Sequence, residues 1–349
     1  MSPNKVIPGF EPIIGQQFPI RILQRFLRRA AVPHALLFTG IDGIGKRSTA
    51  RAIAMALNCS NGAKSVAEGP AAAFDQPCRQ CTFCRRVIDA KHPDVIEMAP
   101  RKGILRIDQI RALLTTLAMK PFSAACRVVI IGEAHTMNRE AGNALLKILE
   151  EPPRGTILIL TARQRSDLLP TIVSRCRHIR FNPLTTDAIA ALLAQERGLD
   201  ETSSKTLAKA AGGSYTRALN LAQGGWRKRR DWLIRAAGLD RSDRLDRLAS
   251  ALALAFAFEL AKDKERIDED LETMKAWIRD LAVWPFYPQN VINGDRSETL
   301  QQVRQHLSDR QLMEMWETLE KAQKDIAGNA NLRLTLDVMA LRMAGLQAA

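Results

Sequence analysis

The sequence predicts an α/β fold: a parallel sheet covered by helices in the first half of the chain, then an all-α second half. Three features carry that prediction. Short apolar runs alternate with helical segments as far as Phe181, a glycine-rich loop separates the first run from its helix, and β-rich runs stop after Pro183.

The elements follow in order. Ala35 to Thr39, ALLFT, has the short apolar form of a buried parallel strand. After the glycine turn, Ser48 to Asn58 combines good helix formers with apolar residues at helical spacing. Asp94 to Met98 is a weaker strand and Val128 to Ile131, VVII, a strong one. Arg139 to Glu150 reads as a helix stopped by Pro152 and Pro153, which cannot continue the hydrogen-bond ladder. Thr156 to Thr161 and Arg177 to Phe181 are the fourth and fifth strands. Beyond Pro183, helices are expected at Asp187 to Glu196, Ser203 to Ala211 and Tyr215 to Gln223, the last ending at Gly224 and Gly225. Long Leu-, Ala- and Met-rich helices follow from Trp226, broken by the loop Trp284 to Asp295.

At 349 residues the chain is long enough for two or three domains, and 46% apolar with 25% charged residues excludes disorder and collagen. No run reaches the roughly 18 apolar residues of a membrane helix, and even the greasy run Leu252 to Leu260 is too short. The opening MSPNKVIPGF lacks the build of an export signal, so a soluble cytoplasmic protein is expected. The net charge of +14 is uneven. Residues 1–182 hold 27 Lys and Arg against 13 Asp and Glu, whereas residues 183–349 hold 24 of each. A polyanionic partner, if the arginines cluster, should lie against the first half.

Gly40 to Lys46, GIDGIGK, has the spacing of a phosphate-binding loop, in which glycines let backbone N–H groups close around phosphate oxygens and the lysine adds charge. Arg47 stands where a Ser or Thr hydroxyl normally helps hold Mg²⁺, and Ser48 comes one residue too late. The companion strand VVII leads into Gly132-Glu133, so the metal-holding Asp is missing while the Glu remains. Both departures weaken metal binding, which predicts little or no ATP turnover. Lys46 then holds a nucleotide loosely or serves only folding.

Cys59, Cys78, Cys81 and Cys84 form two consecutive CxxC spacings preceded by one distant thiol. Four thiolates satisfy tetrahedral zinc and close its shell, which points to a structural site; disulfides are the alternative, disfavoured in a reducing compartment. Cys126 and Cys176 read as free thiols, and His92 as a surface or packing residue rather than a further ligand. Arg175, after the turn LLPTIVS, lies near the sheet rim, and Arg227 to Arg230 reads as a solvated helix face or, less readily, a DNA contact.

HALLFTGIDGIGK, the four-cysteine module, GNALLKILEEPP, LLPTIVSRC and GGSYTRAL, in that order, resemble the delta-prime subunits of the bacterial DNA polymerase III clamp loader. The late segment NANLRLTLDVMALRMA resembles that family's C-terminal collar helix. The ATP-hydrolysing tau/gamma motor subunits share the fold and zinc module. The resemblance implies an AAA+ RecA-like core over residues 1–182 with an inserted zinc module at 59–84, a helical lid over 183–225 and an oligomerising helical collar over 226–349.

It further implies that Arg175 is an arginine finger acting in trans on a neighbouring ATPase subunit. Thr161 matches the first sensor position and Arg217 the second. Gly40, Gly43, Gly45, Lys46 and Arg217 would be a degenerate nucleotide site with ATP weak or absent, and Cys59, Cys78, Cys81 and Cys84 would hold structural zinc. The implied partners are motor and clamp-opening subunits in a hetero-pentamer, the sliding clamp and primed DNA, with no membrane. A competent ATPase motor and a zinc-dependent DNA-binding module are the rival expectations.

Overall fold

The computed structural model describes residues 10, 13–60, 76–101, 103–240 and 250–345. The start of the chain, on which the export-signal reading rests, and most of the Ala- and Gly-rich stretch between Cys59 and Cys78 lie outside them. The chain divides into two compact units, Met1–Ile189 with Gly213–Thr216, and Ala190–Gly212 with Arg217–Ala349.

In the first unit five parallel strands, β1 (Ala35–Thr39), β2 (Val95–Met98), β3 (Arg127–Ile131), β4 (Thr156–Ala162) and β5 (Arg177–Arg180), lie in the order β2-β3-β4-β1-β5. Every residue of β1, β3 and β4 is buried, because both faces of the sheet are covered. Period-two alternation sends Leu36, Phe38, Val128, Ile130, Ile157 and Ile159 into one core, shared with α1 (Gln17–Arg28) and α2 (Lys46–Asn58). Leu37, Val129, Ile131, Leu158 and Leu160 enter the opposite core, under α4 (Ile107–Ala118) and α5 (Arg139–Glu150). The five strands fall on the five predicted runs to within a residue at either end.

Three helices went unread in the sequence: α1, α3 (Thr82–Ile88) and α4. Helix α1 is sewn on at its start by the fully buried Gln16, whose Nε2 donates to the Asn182 carbonyl at 2.6 Å and whose Oε1 accepts from the Asn182 amide at 3.2 Å. At the opposite edge, buried Asp94 accepts amides from Phe122, Ser123 and Ala124 at 2.8–2.9 Å. Beside it Arg127 donates to the carbonyls of Thr116, Met119 and Lys120, so one buried pair fastens the α4–β3 connection. The short α6 (Pro170–Val173) precedes β5.

The second unit is helical. Helices α7 (Thr186–Arg197), α8 (Glu201–Ala210) and α9 (Tyr215–Gln223) are followed by α10 (Trp226–Ala236), α11 (Ser250–Ala261), α12 (Ile267–Val283), α13 (Ser297–Arg304), α14 (Asp309–Ala327) and α15 (Leu332–Met343). Helix α7 begins within the first unit. One apolar core runs from Leu233 on α10 through Trp277 on α12 to Leu336 on α15. Among the described residues no helix is long and apolar enough to cross a membrane.

The run Arg227 to Arg230 corrects an expectation. It is not a solvated face. Arg230 is 1% exposed, grips Asp295 with both Nη atoms at 2.7 and 2.8 Å, and also meets Asp231 and Asn293. Arg229 pairs with Asp270 through two bonds of 3.0 and 2.6 Å, and its guanidinium lies 4.3 Å from the Trp232 ring centroid. Arg227 reaches Ser203 and Asp295, leaving Lys228 as the exposed member without a charged partner. Buried Asp280 completes the arrangement by accepting the Ile292 and Asn293 amides at 3.0 and 2.7 Å, which pins the predicted loop at Trp284 to Asp295 onto α12. An arginine taken out of water needs such carboxylates, which explains why half of this basic run faces inward.

Candidate functional site

The loop between β1 and α2 turns on three glycines of positive φ: Gly40 (140°), Gly43 (77°) and Gly45 (96°). Two are sterically required. A Cβ on Gly40 would lie 2.6 Å from the Phe181 carbonyl oxygen, and one on Gly43 would lie 2.3 Å from the Ser214 hydroxyl. The Gly43 carbonyl accepts the Tyr215 and Thr216 amides at 3.1 and 3.4 Å, so the Gly213–Thr216 segment seats on the loop.

Lys46, 5% exposed, is turned onto its own loop: Nζ donates to the carbonyls of Gly40 and Ile41 and lies 3.5 Å from Asp42 Oδ1. Burial holds its pKa below the usual lysine value against the pull of Asp42. Asp42 also takes a 2.9 Å bond from Arg163, a residue the sequence reading passed over. Its position one residue beyond a fully buried strand was the available signal.

The carboxyl ends of β1, β3 and β4 converge here, the edge where open parallel sheets bind ligands. The Gly40 amide donates to the Ala162 and Arg163 carbonyls, and the Glu133 amide to the Thr161 hydroxyl at 3.1 Å. Glu133 is exposed and holds a left-handed φ of 51°.

The two substituted positions meet. Gly132 is buried, and a Cβ built on it would lie 3.7 Å from Arg47 Nε and 3.8 Å from Arg47 Cζ. Arg47 in turn places Nη2 3.4 Å from Glu97 Oε2, while Arg51 holds the same carboxylate with both Nε and Nη2. Burial disfavours the Glu97 carboxylate, yet the bonds and charges of Arg51 and Arg47 outweigh it and bring its pKa below the usual value. Glu97 and Arg51 were not singled out in the sequence; a charged residue inside the strand VIEM was the hint. A magnesium-bound nucleotide, which the loop pattern implies, needs oxygen donors at positions 47 and 132. A guanidinium has no acceptor and glycine no side chain, so these residues do not fit the metal.

Arg175 lies between α6 and β5 with its side chain 35% exposed. Nη2 pairs with Glu150 Oε1 at 2.5 Å at the end of α5, and Nη1 donates to the Thr171 carbonyl at 3.0 Å. Arg217 belongs to the second unit, where its charge helps hold the Glu272 carboxyl low.

The four cysteines do come together. The sulfurs of Cys59, Cys78, Cys81 and Cys84 all lie within 4.8 Å of one another, and all six cysteines are free of disulfides. Amides at 78, 81 and 84 each point at the sulfur of the preceding cysteine at 3.3–3.5 Å. Such N–H donors suit thiolates. For Cys81 they outweigh the opposing effect of burial and bring the thiol to about 6, whereas burial pushes Cys84 up. Tetrahedral zinc with bonds of about 2.3 Å sets sulfurs about 3.8 Å apart, so the cluster fits that ion after a small contraction. His92 is buried and stacks on Phe83 with centroids 4.1 Å apart, in keeping with a packing role. Burial raises Cys126 to about 11 and Cys176 to about 12, as for inert thiols.

Residues 15–185 match the family described as DNA polymerase III, delta subunit. The chain is 28% identical to DNA polymerase III subunit tau of Bacillus subtilis over 96% of its own length and 61% of that protein. It is 32% identical to subunit gamma of Buchnera aphidicola subsp. Acyrthosiphon pisum, over 61% of this chain and 58% of that one. It is also 32% identical to subunit tau of Escherichia coli, over 61% of this chain and 32% of that one. The chain thus spans less than two thirds of the length of each of these relatives. The similarities are to delta, tau and gamma subunits of DNA polymerase III and single out neither delta prime nor tau/gamma.

Proposed function

We propose that this chain, a relative of DNA polymerase III clamp-loader subunits, is a stator of delta-prime type. It helps load the sliding clamp on primed DNA and contributes to ATP hydrolysis on a neighbouring subunit rather than at its own site. The observation that carries the reading is the pairing of Arg47 with Gly132, which removes both oxygen donors for a divalent cation from one place. Phosphoryl transfer rests on positioning and charge neutralisation, so their loss affects turnover more than binding.

In this reading Arg175 is the arginine finger. Its side chain is about a third exposed and steadied by Glu150 and the Thr171 carbonyl, available to exchange the carboxylate for a γ-phosphate presented by an adjoining motor subunit. Its role there is to neutralise charge that develops in the transition state. Cys59, Cys78, Cys81 and Cys84 hold a structural zinc, which supplies a cross-link and no open coordination position. The chain is apportioned as core (1–182), lid (183–225) and collar (226–349), the collar joining the motor and clamp-opening subunits in a hetero-pentamer.

A second reading, an ATP-hydrolysing motor subunit, draws on the tau and gamma relatives. One experiment separates the two. The purified chain with saturating ATP and Mg²⁺ is expected to show no turnover above background, while metal analysis of the same preparation gives about one zinc per chain. Reconstituted with motor and clamp-opening subunits, Arg175→Ala is expected to assemble normally and lower the complex's ATPase about tenfold or more. Turnover by the isolated chain that Lys46→Ala abolishes overturns the stator reading, and an unchanged complex overturns the finger.

A further inference from the structure

We propose that Arg47 is the resident counterion of the loop at Gly40–Lys46, so that this site takes the polyphosphate of a nucleotide without a divalent cation. The inference rests on reading that loop as a nucleotide site and not on the assembly role above. A failed reconstitution leaves it standing, and its own failure leaves the stator reading standing.

The departures at 47 and 132 are one change. Gly132 removes a carboxylate side chain; a Cβ there would lie 3.3 Å from the Met98 carbonyl oxygen and 3.7–3.8 Å from the Arg47 guanidinium, which borders the place where that side chain would start. A cation has therefore entered where a cation's ligand has gone. Restoring an Asp at 132 alone would give Arg47 a salt-bridge partner instead of a metal its ligand, and restoring a hydroxyl at 47 alone would leave the metal without its carboxylate.

Charge counting supports the same conclusion. Arg47 and Arg51 face a single carboxylate, Glu97, so the cluster keeps one net positive charge. Arg51 is the committed partner, with its side chain 13% exposed and two bonds to Glu97, one of them at 2.7 Å. Arg47 is the loosely held one, 48% exposed and 3.4 Å away. Its Glu97 contact orients it without consuming it, and guanidinium geometry matches phosphate oxygens two at a time.

Next to it in sequence, buried Lys46 donates to two loop carbonyls that phosphate oxygens can replace, and its remaining contact is Asp42 at 3.5 Å, a carboxylate that Arg163 also engages. Two adjacent cations and the amides of a glycine loop then face one anion. Neither cation needs to shed water as magnesium does.

The test is calorimetric titration of the full chain with ADP and ATP, in excess EDTA and in excess Mg²⁺. Wild type is expected to bind both nucleotides in EDTA with a Kd within about threefold of that in Mg²⁺. Arg47→Lys, which keeps the charge, should retain most of the binding, and Arg47→Thr should weaken it about tenfold or more in EDTA. The double variant Arg47→Thr with Gly132→Asp should bind only in Mg²⁺. Because Arg47 is half-exposed, its two single variants are expected to melt as wild type does, which separates lost binding from lost folding. A wild-type chain that binds only with Mg²⁺, that binds in neither condition, or that is indifferent to Arg47→Thr overturns the proposal.

Discussion

The glycine-loop edge of the first unit and helix α10 of the second are both rich in arginine, and they treat it in opposite ways. On α10, Arg229 and Arg230 are matched to Asp270 and Asp295 with short bidentate bonds. At the glycine-loop edge, Arg47 and Arg163 are about half or more exposed and share carboxylates already engaged by another cation. Arginine with a committed partner is architecture. Arginine with a shared one is available to a ligand or another chain, and a basic run is uninformative until its partners are known.

The most damaging way to break this contrast is to remove the buried member. Arg230→Ala takes from Asp295 its two short bonds, leaving it the longer contact with Arg227, and takes from Asn293 Oδ1 its donor in a dry site; it is expected to cost about 3–5 kcal/mol, measured by urea unfolding. A loss below about 1 kcal/mol would mean that α10 carries its charges as the glycine-loop edge does.

A smaller effect is expected at Asp94. Burial opposes its charged form, but three amides and Arg127 more than compensate, so its folded pKa lies below the usual carboxylate value. A depressed carboxyl adds stability that is fully present above its unfolded pKa and is lost as pH falls through the folded one. Asp94→Asn should cost about 1.5–3 kcal/mol at neutral pH. It should also flatten the acid limb of the stability curve; an acid limb as steep as wild type's rejects the assignment. The smallest change is Arg163→Ala, whose pair with Asp42 is open to solvent on both sides, expected below about 1 kcal/mol by thermal melting.

Much of the first unit was legible because its sheet is covered on both sides, so β1, β3 and β4 read as unbroken apolar runs bounded by glycine or proline. Helices α1 and α4 were not, since each buries only a stripe and turns a polar face outward, which dilutes the apolar signal. The loop at Gly40 and the four cysteines were visible as spacings. What spacing does not contain is contact: Arg47 meets Glu97 from 50 residues away, and Arg230 meets Asp295 from 65. The sequence presented Arg47 and Gly132 as two separate losses, and only folding makes them a single exchange.

Helix α2 begins at the glycine loop and ends at Asn58, next to Cys59 of the thiol cluster. Asn58 also ties that end to β3's approach, donating to the Cys126 carbonyl at 2.8 Å and accepting its amide at 3.0 Å. At 13 residues the helix is a strut about 20 Å long. The cysteine cluster is therefore the footing of that strut, and the firmness with which the glycine-loop end is presented depends on whether the footing at the other end is locked.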